Sequence, residues 1–331
     1  MKSFWQGTLI IIACISILAL THVYVFITTP TTPLRPVMME IEPGTSAWEI
    51  SLELKDQGIV TDPYMFLAVA VATKKARHLQ AGTYVFEGKH FPLDIMHILF
   101  KGRTLRYRIT IPEGSNIFDI GEIIAATGLI TKQDFIRSAQ DSRTTAFFSI
   151  DTPSMEGHLY PDTYFLSPHM TALEIMAKMV DRFNQVYTPK IQQQADALGM
   201  STSQVLTLAS IVEKEAVFND EKPIIASVFH NRLKRKMPLQ SDPTAIYGID
   251  DFHRRITPKD LMKESPYNTY KHTGLPPGPI CNPDKYSINA VLWPEKTDFL
   301  YFVSQGNGFH YFSKSLKEHN RAISKTRKRK K

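Results

Sequence analysis

Two glutamates, Glu213 and Glu215, close the segment QVLTLASIVEKEA that spans residues 204–216. On a helix turning about 100° per residue, with Val205 at zero, Leu208 falls at about 300°, Ile211 at about 240° and Val212 at about 340°. These three define a broad apolar arc. Glu213 falls at about 80°, on the polar side, whereas Glu215 falls at about 280°, between Ile211 and Leu208. A carboxyl among aliphatic side chains is desolvated, which disfavours its charged form and raises its pKa. Such a group can hold a proton near neutral pH and hand it to a leaving oxygen. From this helix alone a second reading stays open, in which Glu215 sits in a buried polar network or pairs with an arginine such as Arg232. No HExxH pattern and no clustered His/Cys set occurs, so neither a metal nor any other cofactor is expected. The two cysteines, Cys14 in an apolar run and Cys281 alone, offer no disulfide framework or metal knuckle.

The elements that must position this helix can be read around it. Ser201 or Ser203 suits its N-cap, after a long helical stretch over residues 172–198. Downstream the pattern predicts a helix over 221–236, a polar loop over 238–248 and an aromatic loop over 265–282. Two strand-like runs, 299–304 and 309–313, flank Gln305-Gly-Asn-Gly308, turn chemistry that suits a hairpin, and a short helix follows near 316–323. Upstream, residues 44–61 match residues 114–131 without gaps at an offset of 70: Trp48 falls on Phe118, Glu49 on Asp119, Ile50 on Ile120 and Leu54 on Ile124. Each copy reads as strand, turn, helix, turn, helix, with Thr45 and Ser115 as N-caps and Gly58 and Gly128 as helix ends. The expected fold class is therefore α+β.

The chain has 331 residues, 43% hydrophobic and 21% charged, enough for about two globular domains. Of its net charge of +7, six units sit in residues 325–331, which leaves +1 elsewhere. No basic face large enough to track phosphates remains, which excludes nucleic acid as the partner. The basic tail reads as a solvated, disordered terminus or as a contact with anionic headgroups or wall polymers. From Phe4 to Ile27 no Asp, Glu, Lys or Arg occurs. This run can cross a bilayer core of roughly 30 Å and ends without a small-x-small cleavage site, so an uncleaved single-pass anchor is expected. Lys2 favours a cytoplasmic N-terminus, which places the body on the periplasmic or exterior side. TTPTTPLRPV, residues 28–37, reads as a short, stiff stalk.

Two resemblances sharpen these expectations. The repeated unit resembles a LysM module, a small fold that binds N-acetylglucosamine-containing glycans, although a duplicated packing unit without ligand explains the pattern equally well. The segments LASIVEKEA, IIASVFHNRL, LQSDPTAIYG and YNTYKHTGLPPGPICNP closely resemble the MltG (YceG-like) family of endolytic murein transglycosylases, over nearly the whole chain. The resemblance implies a membrane-anchored lytic transglycosylase with its catalytic body outside the cytoplasmic (inner) membrane of a bacterium. It would cleave the bond between N-acetylmuramic acid and N-acetylglucosamine and leave 1,6-anhydro ends, with Glu215 as general acid and then base. It also implies peptidoglycan glycan strands as the ligand, with the cytoplasmic membrane and peptidoglycan synthases as candidate partners. The expected domains are an anchor over 1–30, a stalk over 31–37, a LysM-like region over 38–145, a lytic transglycosylase-like catalytic domain over 150–324 and a basic tail over 325–331.

Sugars have apolar faces and polar rims, so a glycan cleft calls for aromatic rings beside amides and carboxylates. Tyr160, Tyr164, Tyr247, Tyr267 and Tyr270 are the aromatic candidates, and Asp162, Asp242 and Asn268 the polar ones; each also suits packing or a turn. Two other functions compete: a non-catalytic LysM-type scaffold that binds peptidoglycan, and a hydrolytic muramidase using Glu215 as acid and Asp242 as base.

Overall fold

The apolar segment that opens the chain is one long helix, α1 (Lys2–Thr28), in the computed structural model, which describes residues 2–248 and 256–329. Its window Trp5–Thr28 is long and apolar enough to cross a membrane, and most of its large side chains are exposed, among them Leu9, Ile12 and Leu20. Contacts divide the chain into two units, one ending at Tyr107 and one beginning at Arg108.

The first unit continues with β1 (Val37–Ile41), α2 (Ala47–Asp56), α3 (Pro63–Ala72), β2 (Gly82–Phe86) and α4 (Pro92–Lys101). β1 and β2 pair antiparallel, Val37 opposite Phe86 and Ile41 opposite Gly82. Strand alternation turns Met39, Ile41, Tyr84 and Phe86 onto Ile50, Leu54 and Phe66 of the helices, a dry core. Phe26, near the end of α1, is 5% exposed and belongs to the same core. Thr31 exchanges both backbone hydrogen bonds with His90, and its hydroxyl donates to the Ile59 carbonyl at 2.5 Å. The expected stalk is thus fastened at its start and does not begin as a free spacer. The reason is local: Phe26 has an apolar site to fill, and Thr31 keeps a backbone N–H that the neighbouring prolines lack.

The second unit opens with β3 (Tyr107–Thr110), α5 (Ile117–Ala125), α6 (Lys132–Ala139), α7 (Ser142–Phe147) and β4 (Thr163–Leu166), where β3 pairs with β4. Next come α8 (Ala172–Val186), α9 (Pro189–Ala197), α10 (Thr202–Glu215), α11 (Lys222–Lys234), α12 (Asp242–Ile246) and α13 (Lys285–Leu292). The hairpin β5 (Tyr301–Ser304) and β6 (His310–Ser313) and the helix α14 (Leu316–Arg329) complete it. The single helix expected over 172–198 is broken at Pro189, which starts α9. Most of the basic tail continues α14, up to Arg329, where a solvated coil was one expectation; Lys330 and Lys331 lie outside the described residues.

The segments matched at an offset of 70 hold α2 and α5; around them the elements run in the same order, β1–α2–α3 and β3–α5–α6, but in different units. The second is stitched into its unit by Asn282, whose backbone exchanges hydrogen bonds with Gly114 and Ser115. Both expected caps are one residue early. Ser46 and Asn116 cap α2 and α5, each in a capping box, whereas the hydroxyls of Thr45 and Ser115 turn back to the carbonyls of Glu42 and Pro112. Gly58 and Gly128 do stand just past the helices at φ +69° and +75°, the left-handed turn that glycine adopts without strain.

Candidate active site

Ser201, not Ser203, starts α10, in a capping box with Gln204. The helix packs against α11 and α13 and is buried from Val205 to Val212 without a break. Apart from Gln204, exposed in its first turn, it has little wet surface until its C-terminal end at Glu215, where Ala216 leaves the helical conformation. Glu215 borders a cavity of about 370 Å³ shared with Asp242, Tyr270 and Arg232. The hairpin β5–β6 supplies Tyr301 and His310 to its wall, and α14 supplies Leu316 and His319.

The hydroxyl of Ser241, itself 1% exposed, donates to Glu215 Oε1 at 2.5 Å. Ser241 stands at the N-cap of α12, yet its side chain does not cap that helix. Burial pushes the pKa of Glu215 up to about 7; the Ser241 bond pulls it down, the nearby Asp242 raises it and Arg232 lowers it. Arg232 does not pair with Glu215 directly. Its Nε donates to the Leu300 carbonyl and its Nη1 to the Leu239 carbonyl, each at 2.7 Å, and its guanidinium lies 5.3 Å from the centre of the Tyr301 ring. Glu215 so has one close donor in Ser241 and a fixed cation nearby.

Asp242 Oδ1 accepts the hydroxyl of Tyr270 at 2.5 Å. Burial and this bond hold the Tyr270 phenol above its usual range. Asn268 is wholly buried; its Nδ2 donates to the carbonyls of Leu261 and Lys263, and its Oδ1 accepts the Tyr270 N–H. It shapes the loop that presents Tyr270 and does not reach the cavity. Tyr247 and Tyr267 pack with ring centres 4.7 Å apart, and the Tyr247 hydroxyl donates to Glu156 Oε2 at 2.8 Å. Glu156 also accepts from the Ile117 N–H and from Asn282, and burial raises its pKa to about 8. Tyr160 and Tyr164 are buried, with the Tyr164 hydroxyl donating to the Tyr160 carbonyl, and Asp162 pairs with Arg182 at 2.6 Å. Of the nine residues expected at the site, the fold brings Glu215, Asp242 and Tyr270 together. The other six do not line this cavity.

Glu213 is the clearest correction. Its side chain is 9% exposed, where the helical wheel placed it in solvent. It accepts from Lys222 Nζ at 3.1 Å, from Ser287 Oγ at 2.6 Å and from the Asp284 N–H, while Lys222 also binds Asp284 at 3.0 Å. A helix surrounded on all sides buries its polar residues too, and does so by pairing them. Sequence reasoning also missed His310, whose Nδ1 bonds Glu221 Oε2 at 2.8 Å at the cavity wall. It passed over Ser241 as well. The run Ser241-Asp242-Pro243 is a helix-start signal, and it could have pointed to that hydroxyl.

With this geometry in view, comparison with known proteins is informative. The chain is 36% identical over 305 residues to the endolytic murein transglycosylase of Bacillus subtilis strain 168, covering 87% of this chain and 84% of that protein. It is 28% identical to the endolytic murein transglycosylase of Streptococcus pneumoniae D39, again over 87% of this chain but spanning only 58% of the relative. A YceG-like protein from Listeria monocytogenes, known from a 2.6 Å crystal structure, superposes with a TM-score of 0.61 at 35% identity, over 86% of this chain and 98% of that one. The sequence profile of the YceG-like family matches residues 39–325, and the chain belongs to that family.

Proposed function

We propose that this chain is a peptidoglycan lytic transglycosylase, anchored in the cytoplasmic membrane by α1, that cuts within glycan strands. The observation that carries the proposal is Glu215, a carboxyl with a pKa of about 7 in a cavity, hydrogen-bonded by Ser241. Support for the substrate comes from relatives named for murein cleavage.

The protonated Glu215 donates its proton to the oxygen that leaves C1 of the muramic residue as the glycosidic bond breaks. Negative charge on the nearby Asp242 carboxylate, held by Tyr270, favours the positive charge that builds at C1. The Glu215 carboxylate then takes the proton of the C6 hydroxyl, whose oxygen bonds to C1 and closes the 1,6-anhydro ring. Arg232 stabilises the carboxylate between the two steps. Because the nucleophile belongs to the substrate, a second carboxylate to activate water is not needed. The segments β1–α2–α3 and β3–α5–α6 are proposed as LysM-like supports for the strand.

Mass spectrometry of digested glycan strands tests this reading. Anhydro ends are expected. Reducing ends would point to a muramidase, for which Asp242 stands beside Glu215 as a base, and intact strands to a binding scaffold.

A further inference from the structure

α14 carries more positive charge than its packing uses. One side of the helix faces the body, with Thr326 buried and His319, Ala322 and Ile323 half-buried. On the other side Lys317, Arg321 and Lys325 recur every four residues, all exposed. That spacing lines them up on one helix face in a row about 12 Å long. Beside them, Leu316, Asn320 and Ser324 line the same groove of about 800 Å³. Leu316 also lines the cavity of Glu215, so the row starts beside the catalytic cavity. The acid of this helix, Glu318, turns away to accept the Lys314 N–H, and no ion pair neutralises the row among the described residues.

Such a row selects an anionic, extended ligand that begins at the cavity. Among the described residues the apolar side of α14 is spent on the body apart from Leu316, too little for insertion into lipid. The muramic residues of a glycan strand bear peptides with free carboxylates, and one such residue must occupy the cavity when its bond is cut. We propose that Lys317, Arg321 and Lys325 bind the carboxylates of the peptide on the glycan strand, so that the enzyme favours peptide-bearing strands over bare ones. This inference rests on the function proposed above.

The test uses the full chain in detergent on two substrates, peptide-bearing strands and the same strands stripped of peptide by an amidase. Lys325 Nζ also lies over the Tyr311 ring, so the clean variant is Lys317→Gln with Arg321→Gln. It should raise KM on peptide-bearing strands about tenfold, the effect of two exposed ion pairs near the strong end of their range. On stripped strands KM should stay within about twofold, and added salt should erase the preference of the parent. The charge-keeping pair Lys317→Arg and Arg321→Lys should behave as the parent. Equal changes on both substrates, or none on either, would overturn the proposal. So would a parent whose rate in vesicles responds to anionic lipid through these two residues while its peptide preference does not depend on them. A parent that cuts neither substrate would sink the proposed function itself, and this inference with it.

Discussion

A carboxyl that must give a proton and then recover one works best with a pKa near the ambient pH, and burial brings Glu215 to about 7. Glu215→Gln keeps the size and can still accept from Ser241 but cannot transfer a proton. Its cleavage rate should fall by about 10²- to 10⁴-fold, measured on purified strands with circular dichroism to show that the fold is intact. The same substitution has a signed effect on stability. The folded pKa is raised, so Glu215 favours the folded state at low pH, and that contribution is lost as pH climbs from the ordinary carboxyl value of 4.5 through about 7. The melting temperature of Glu215→Gln relative to the parent should therefore rise between pH 5 and pH 8; a flat difference would mean that the carboxyl is not perturbed. Ser241 offers a separate handle. Its hydrogen bond lowers the pKa of Glu215, so Ser241→Ala should shift the alkaline limb of the rate profile to higher pH. The neighbours Leu208 and Ile211, both wholly buried, were legible because helical periodicity registers apolar residues reliably. The hydroxyl of Ser241 was legible only as a candidate helix cap; its bond to Glu215 was not, since it comes from 26 residues further along the chain.

At the scale of elements, α10 is held by a charged clamp. Lys222 at the start of α11 is shared by Glu213 of α10 and Asp284 at the cap of α13, and all three are nearly dry. Burial and the Asp284 charge raise the pKa of Glu213, against the pull of Ser287 and Lys222. Removing the cation leaves two buried carboxylates unpaired, and Lys222→Met should cost about 3 kcal/mol in urea unfolding. Glu213→Gln should also destabilise the protein, contrary to what an exposed position would allow, while the alkaline limb set by Glu215 stays in place. If that limb moved with Glu213 and not with Glu215, the catalytic assignment would pass to the clamp. The wheel failed at Glu213 because it infers solvent from the absence of apolar neighbours, and a fully packed helix breaks that inference. The tyrosines could not be sorted by sequence for a related reason. Tyr164 and Tyr247 sit in segments that suggest a cleft, yet their hydroxyls bond inside the fold. The hairpin β5–β6 was readable from its turn residues, but nothing local shows that Tyr301 and His310 face the end of a helix some 90 residues earlier.

Over the whole molecule, the apolar helix α1 was the easiest feature to read and its attachment the hardest. A 24-residue window long and apolar enough to cross a membrane shows in composition alone, whereas the burial of Phe26 depends on a pocket built by residues far along the chain. This distinction decides where the chain can be cut. Deleting residues 1–21 removes most of the apolar run and keeps Phe26 and the Thr31–His90 bridge. Deleting residues 1–30 takes Phe26 out of the core of the first unit and should cost that unit on the order of 3 kcal/mol, as loss of a buried phenylalanine commonly does. Amide hydrogen exchange on β1 and β2 reads the difference, since Met39 and Tyr84 share the core with Phe26. Protection there should persist in the shorter deletion and drop in the longer one. The second unit, which contains Glu215, should exchange alike in both, and both should still cleave isolated strands. Equal protection of β1 and β2 in the two deletions would mean that Phe26 covers the first unit without supporting it, and the end of α1 would then act as a tether alone.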